Sequence, residues 1–555
     1  MPAAMGWEAI ASRHKAKQQQ AIPREWRLSE QELDLLSGKG TPQEGQLILL
    51  DAARKSALLT KKELEITEDY NTRQLLNNIH NGSLTSEDVT VAFCKRAALA
   101  QQLTNCLTEI LFEEAILRAK ALDQKLKETG SPVGPLHGLP ISLKDSFIIK
   151  GHYATVGYVE FLKRPPPDSN STLVDLLLDA GAILFCKTNV PQTMMTADSE
   201  NNIFGRTLNP HKTTLTAGGS TGGEGALVAF RGSPLGVGTD IAGSVRIPSL
   251  CCGIYGFKPT ANRMPFGRQA YSPFPKLQLP GVTPVAGPMA NSVDDLWLFM
   301  KTILAQRPWK YDASAVDMPW NESKVALDRN LTIGVLPEDP DYRLHPPVRR
   351  ALESAITALT EKGHKVIRLP ADPAYSAGHG ARLGYIYFGM ISSGLDALAS
   401  EIGEPLVTSV KRDVHPFTKA KPPVLPGTDL THQLSEFFGL RDIYADNWRK
   451  VWTEYDLDVV IGPGAISTAV PHDTYGVPVY TLMWNVLDYP SGIIPYGPAS
   501  KEKDPQYEKA TSEFEADYDP EASDGVPCSI QVTAPSFNDE ECLNAIRIID
   551  SAIRR

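Results

Sequence analysis

Between Gly218 and Arg246 the chain reads GGSTGGEGALVAFRGSPLGVGTDIAGSVR, and this density of glycine around Ser220 and Ser244 constrains the molecule more than any other feature. Turns without Cβ atoms take positive φ and bring several backbone N–H groups close to a ligand, the arrangement that stabilising an anion requires. A phosphate cradle uses the same physics. However, the segment contains no G-x-x-x-x-G-K-[ST], and Gly236, Gly238 and Gly243 have the wrong spacing for G-x-G-x-x-G. Ala242 and Arg246 stand where a G-x-S-x-G nucleophile elbow needs glycines, so a histidine-based serine triad loses its local support.

A serine without histidine needs another base, and a lysine serves if desolvation brings its pKa to roughly 7 to 8. Lys144 is the candidate. It ends the strand-like apolar run in GLPISLKDSF, where a sheet interior disfavours the charged form. Asp145 follows directly, but neighbouring strand side chains point to opposite faces, so it need not hold Lys144 protonated.

The rest of the chain supplies the scaffold. Strand-like pieces (Ile141 to Leu143, Ala182 to Cys186) alternate with helix-like ones (LVDLLLDAG, GALVAF), a βαβ rhythm that predicts an α/β sheet. Thr85 with Asp88 reads as a capping box opening a helix, with Val89, Phe93 and Ala97 on one face. Leu111, Ala115, Leu122 and Leu126 mark the core face of a second helix, stopped at Gly130. Residues 1–75 read as a helical N-terminal segment and 76–555 as one large domain. Ala261 to Pro288, Pro416 to Pro426 and Lys501 to Pro527 read as irregular, Pro- and Gly-rich stretches.

Three motifs together, GLPISLKDSF, GGSTGGEGALVA and GTDIAGSVRIPS, resemble the amidase signature family in order and spacing, strengthened by KTNVPQ and FGRTLNP between them. The resemblance runs from about residue 76 to the C-terminus. WNVLDYPSG and IPREWRLSE look most similar to fungal acetamidase-type members. It implies a mixed β-sheet flanked by helices in a single domain, and hydrolysis of a carboxamide C–N bond through an acyl-enzyme. Residue by residue, it implies Lys144 as base, Ser220 as cis-serine and Ser244 as nucleophile. The oxyanion hole then falls on Ile241, Ala242, Gly243 and Ser244, Met194 lends a backbone contact near the substrate, and Asp240 with Arg246 forms a supporting ion pair. Two positions depart from the family pattern: Thr221 follows Ser220 where serine is frequent, and Ala242 replaces a frequent glycine. Neither removes a catalytic atom, because the oxyanion donors are backbone N–H groups.

Trp484, Asn485, Asp488 and Tyr489 fit either the acyl side of the pocket or a packed aromatic cluster, and Tyr385, Tyr387 and Phe388 have the same standing. Cys251 and Cys252 read as small packing residues rather than thiol nucleophiles. The eleven histidines form no H-E-x-x-H or Cys/His cluster, so no metal and no cofactor are expected. A net charge of -10 with dispersed charges argues against a nucleic-acid partner. The seven cysteines form no C-x-x-C pair, the first twenty residues carry scattered charges and no continuous apolar signal-peptide core, and no later segment has the ~18 apolar residues of a spanning helix, which predicts a cytoplasmic protein.

The expected partner is a small-molecule amide, and a homodimer is compatible with the sequence. Within the family the rivals are a fatty acid amide hydrolase-like enzyme and a glutaminase subunit of an amidotransferase. Outside it stand a non-catalytic amidase-like binding protein and a Ser-x-x-Lys enzyme using Ser12 and Lys15, which lacks an accompanying K-T-G.

Overall fold

A computed structural model describes residues 6–270, 281–324, 329–391, 399–411 and 429–554. The strands in chain order are β1 (Leu107–Ile110), β2 (Pro140–Lys144), β3 (Ile183–Thr188), the two-residue β4 (Glu200–Asn201) and β5 (Gly205–Arg206), β6 (Leu235–Asp240) and β7 (Tyr255–Lys258). They continue with β8 (Val285–Ala290), β9 (Thr332–Val335), β10 (Lys365–Arg368), β11 (Val459–Gly462), β12 (Ser491–Pro498) and β13 (Pro527–Thr533). All but β4 and β5 form one sheet in the order β1-β3-β2-β6-β8-β7-β12-β13-β11-β9-β10. The sheet is mixed. Strands β3, β2 and β6 run parallel, β6 through β11 alternate antiparallel, and β11, β9 and β10 are parallel again.

Strands β2 and β3 are buried along their whole length, as continuous apolar runs in parallel sheets require. Helices cover the faces. Ser86–Thr104 opens with the expected capping box, Thr85 and Asp88 each binding the other's backbone N–H. Phe112–Thr129 stops at Gly130, whose φ is +66°. Phe112, Ala115, Ala119 and Leu122 form its buried face, while Leu126, expected there, is only half-buried near the helix end. Of the N-terminal segment, Ile22, Trp26, Leu47 and Ile66 of the helix Lys61–Glu68 belong to the same apolar cluster as β2 and β3, while the helix Trp7–Gln20 packs through Ala11 in a separate small cluster with Val159, Ile203 and Phe204.

The stretch read as a loop from Ala261 to Pro288 requires correction at its end, because Val285–Pro288 belongs to β8, inserted between β6 and β7. Its glycine and proline suggested a turn. The reason for Gly287 is close approach, since a Cβ there would collide with the Phe257 carbonyl oxygen. Residues 271–280 and the expected loop Pro416 to Pro426 lie outside the described residues. Lys501 to Pro527 is irregular as expected, apart from the short helix Pro520–Ser523.

Candidate active site

Lys144 is the last residue of β2 and Asp240 the last of β6, so both sit at the carboxyl ends of adjacent parallel strands, where open α/β sheets place their ligands. Lys144 is 1% exposed. Its Nζ lies 2.7 Å from Ser220 Oγ and 2.8 Å from Thr239 Oγ1. Burial penalises the ammonium and outweighs the opposing pull of Asp240 and Asp145, bringing its pKa down to about 7. Asp145 is engaged elsewhere: its carboxylate accepts from Thr108 Oγ1 and from the Thr155 and Val156 N–H groups, and lies 3.5 Å from Lys187 Nζ.

Ser220 follows a cis Gly219–Ser220 peptide and precedes the helix Gly222–Ala229. Ser199 fastens this turn at two points, donating to the Gly218 carbonyl at 3.0 Å and accepting from Gly222 N–H at 3.1 Å. Ser244 lies between β6 and the helix Arg246–Cys252. At 9% exposure against 2% for Ser220 it is the more accessible serine, and it lines a cavity.

Asp240 organises the Ser244 turn. Its carboxylate accepts from the N–H groups of Gly243 (2.9 Å) and Val245 (3.2 Å), from Arg246 Nε (3.0 Å) and from Asn485 Nδ2 (2.9 Å). Burial would raise its pKa, but the charge and hydrogen bonds of Arg246 outweigh that and hold the carboxyl well below the usual range. The Asp240–Arg246 pair, 3.0 Å long and fully buried, is therefore present as expected. Arg246 is further held by Gln531 Oε1 at 3.0 Å and Asn485 Oδ1 at 2.6 Å.

The four residues expected around an oxyanion have different backbone hydrogen bonding. Gly243 N–H is already given to Asp240, whereas the N–H groups of Ile241, Ala242 and Ser244 have no acceptor among the described residues. Gly243 keeps a different role. Its φ of +126° suits glycine alone, and a Cβ would collide with Thr481 Oγ1.

The cavity beside Ser244 is lined by Met194, Ile241 and Ala242, by the aromatic Tyr385, Phe388 and Tyr475, and by the polar Asp198 and Asp473. Tyr387 packs instead against Phe437, their ring centroids 5.4 Å apart. Trp484 and Tyr489 take the aromatic-cluster alternative: Trp484 is buried against Trp448 (4.9 Å) and Tyr489 (6.0 Å). Asp488 accepts from Ala261 N–H and lies 3.7 Å from Lys258. Cys251 and Cys252 are fully buried in the helix behind Ser244, and burial pushes both thiols up. Ser12 is exposed and Lys15 donates to the Phe204 carbonyl, so neither reaches the cavity.

The profile of the amidase family matches residues 88–543. The chain belongs to the amidase family. It is an amide-hydrolysing enzyme, 39% identical over the whole of both chains to an amidase of Gibberella moniliformis. It is also 37% identical to an acetamidase of Emericella nidulans, over 97% of this chain and 96% of that one. Among solved structures, a fatty acid amide hydrolase superposes with a TM-score of 0.88 at 30% identity, covering 99% of this chain and 95% of its own. No helix among the described residues is long and apolar enough to cross a membrane.

Sequence reasoning missed several residues of this amidase's site. Thr239, second partner of Lys144, was inside a quoted motif, but only the β2–β6 register shows that it meets the amine. Gln531 of β13 and Asp198 had no local signal at all.

Proposed function

We propose that this amidase cleaves a small aliphatic or aromatic carboxamide to a carboxylate and ammonia, with Lys144 as base, Ser220 as relay and Ser244 as nucleophile. One observation carries the reading: a buried lysine with a pKa brought to about 7 lies 2.7 Å from the hydroxyl of a serine whose turn borders the Ser244 cavity. Neutral Lys144 takes the Ser220 proton, Ser220 takes that of Ser244, and Ser244 Oγ attacks the amide carbon. The N–H groups of Ile241, Ala242 and Ser244 are suited to the oxyanion, and Met194 borders the bound substrate. The relay returns the proton to the leaving nitrogen. Water, deprotonated by the same groups, then frees the acid and restores Ser244.

The acetamidase of Emericella nidulans and the aromatic wall of the cavity support a short or aromatic acyl group. The seven cysteines, all buried and unbridged, support a reducing, cytoplasmic setting. A panel of primary amides and anilides of graded acyl length, with mapping of a fluorophosphonate adduct, tests the proposal. Turnover highest for short or aromatic amides and an adduct on Ser244 are expected. An adduct on another serine overturns the mechanism, and turnover confined to long-chain amides overturns the substrate class.

A further inference from the structure

The lining of the cavity includes Asp473, Tyr475 and Gly476. This segment is a loop, and its fastening is electrostatic. Next to Asp473 stands His472, half-buried, whose ring nitrogens both meet acceptors. Nδ1 is 3.2 Å from both Asp198 oxygens, and Nε2 is 3.1 Å from the Thr213 backbone carbonyl. A neutral imidazole carries one N–H, so it satisfies only one of these contacts and leaves a lone pair facing an oxygen. The imidazolium satisfies both.

Asp198 ties this ring to the catalytic turn. Its carboxylate also accepts from Asp473 N–H at 2.8 Å and from Thr216 Oγ1 at 3.1 Å, and Thr216 Oγ1 in turn accepts from Gly218 N–H at 2.9 Å, two residues before Ser220. Thr216 N–H donates to the Val470 carbonyl at 2.8 Å, joining the two segments by backbone as well. The other charges around the ring belong to Arg206 of β5, which binds Glu200 of β4 (2.5 Å) and Asp473 (2.7 Å) and lies 3.8 Å from Asp198.

We propose that His472, as an imidazolium, is a positioning residue that pins the Pro471–Gly476 wall of the substrate cavity to the Asp198–Ser220 segment, and that losing its proton loosens the wall and weakens substrate binding at alkaline pH. Burial and the charge of Arg206 oppose the imidazolium, yet Asp198 and the Thr213 carbonyl outweigh them and raise the imidazole above its ordinary range. The sign follows. A raised folded-state value means that the clamp is fully present below the ordinary imidazole pKa and is lost as pH rises through the raised one. Lys144 works in the opposite direction, since it becomes a competent base as pH rises through about 7. The two groups thus bound the working range from opposite sides, one through kcat and the other through KM.

The inference rests on the cavity beside Ser244 being the substrate site. Its test is to measure kcat and KM separately for an uncharged amide from about pH 6 to about pH 10, in the wild-type chain and in His472→Gln. In the wild type KM is expected to rise about fivefold in a single-proton step on the alkaline side, with kcat flat there. In His472→Gln, KM is expected at the raised plateau at every pH, with kcat within about twofold. A wild-type KM that stays flat overturns the proposal even if the variant fails to fold, and so does a step that persists in His472→Gln. Fluorophosphonate mapping of the same preparation separates the failures: a flat KM with Ser244 labelled removes only the role of His472, whereas labelling elsewhere removes the site reading itself.

Discussion

The segments that hold Lys144, Ser220 and Ser244 and the remaining lining of the cavity are built by different rules. In the former every functional group lies at or within four residues of the end of a buried parallel strand or just before a helix, and Asp240 binds the backbone of the turn that carries Ser244. The remaining lining takes Tyr385 and Phe388 from the helix Ala377–Ile391, and Asp473 and Tyr475 from a loop held by side-chain contacts. The first rests on strand ends and a turn gripped by a buried carboxylate, the second on packing and charge together with the Thr216–Val470 backbone bond. The comparison teaches that the chemistry should be nearly all-or-none to mutation, while acyl selectivity should be graded.

The sharpest way to break that contrast is Ser244→Ala, expected to lower kcat by about 10⁴-fold or more while the far-ultraviolet circular dichroism stays unchanged. Near wild-type turnover would show that the nucleophile lies elsewhere. Lys144→Arg should come next, because arginine keeps the charge but cannot be deprotonated in a protein. Its activity should be as low as that of Lys144→Ala, and the rise of wild-type kcat through about pH 7 should vanish. An arginine variant that retained a large fraction of activity would reduce Lys144 to electrostatic support.

Arg246→Met tests the gripped turn through stability. It leaves the fully buried Asp240 without its cation, which should destabilise the fold by about 3 to 5 kcal/mol and lower the apparent Tm in a thermal scan. A Tm unchanged by the substitution would mean that Asn485 and the turn N–H groups suffice for Asp240. The smallest effect is expected in the remaining lining. Tyr385→Ala should shift the kcat/KM ratio between a bulky and a small acyl amide by about tenfold toward the bulky one, measured across the amide panel. A variant that lost all amides equally would place Tyr385 with the chemistry instead.

The legible part of this amidase follows the same division. The β2 strand, the helix Gly222–Ala229 and the capped helix Ser86–Thr104 were readable because their signals are local: an apolar run, a glycine-rich start and a capping box. Val285–Pro288 was misread as loop because its glycine answers to a carbonyl on β7, a contact with no local trace. Trp484 and Tyr489 could not be assigned to pocket or core, since aromatic rings serve both and only their neighbours Trp448 and Trp452 decide between them.

The sequence by itself singled out the candidates for chemistry, because Lys144, Ser220 and Ser244 each sit in a motif whose glycines and apolar flanks impose a particular backbone. Only the tertiary structure decided which groups those residues meet. The register of β2 on β6 brings Thr239 to the Lys144 amine, the carboxylate of Asp240 accepts the Gly243 N–H, and Asp198 joins His472 to the turn of Ser220 across 274 positions of chain. Local pattern encodes backbone conformation, whereas hydrogen-bond partners distant in sequence are set by how the sheet closes, and no short segment contains that information.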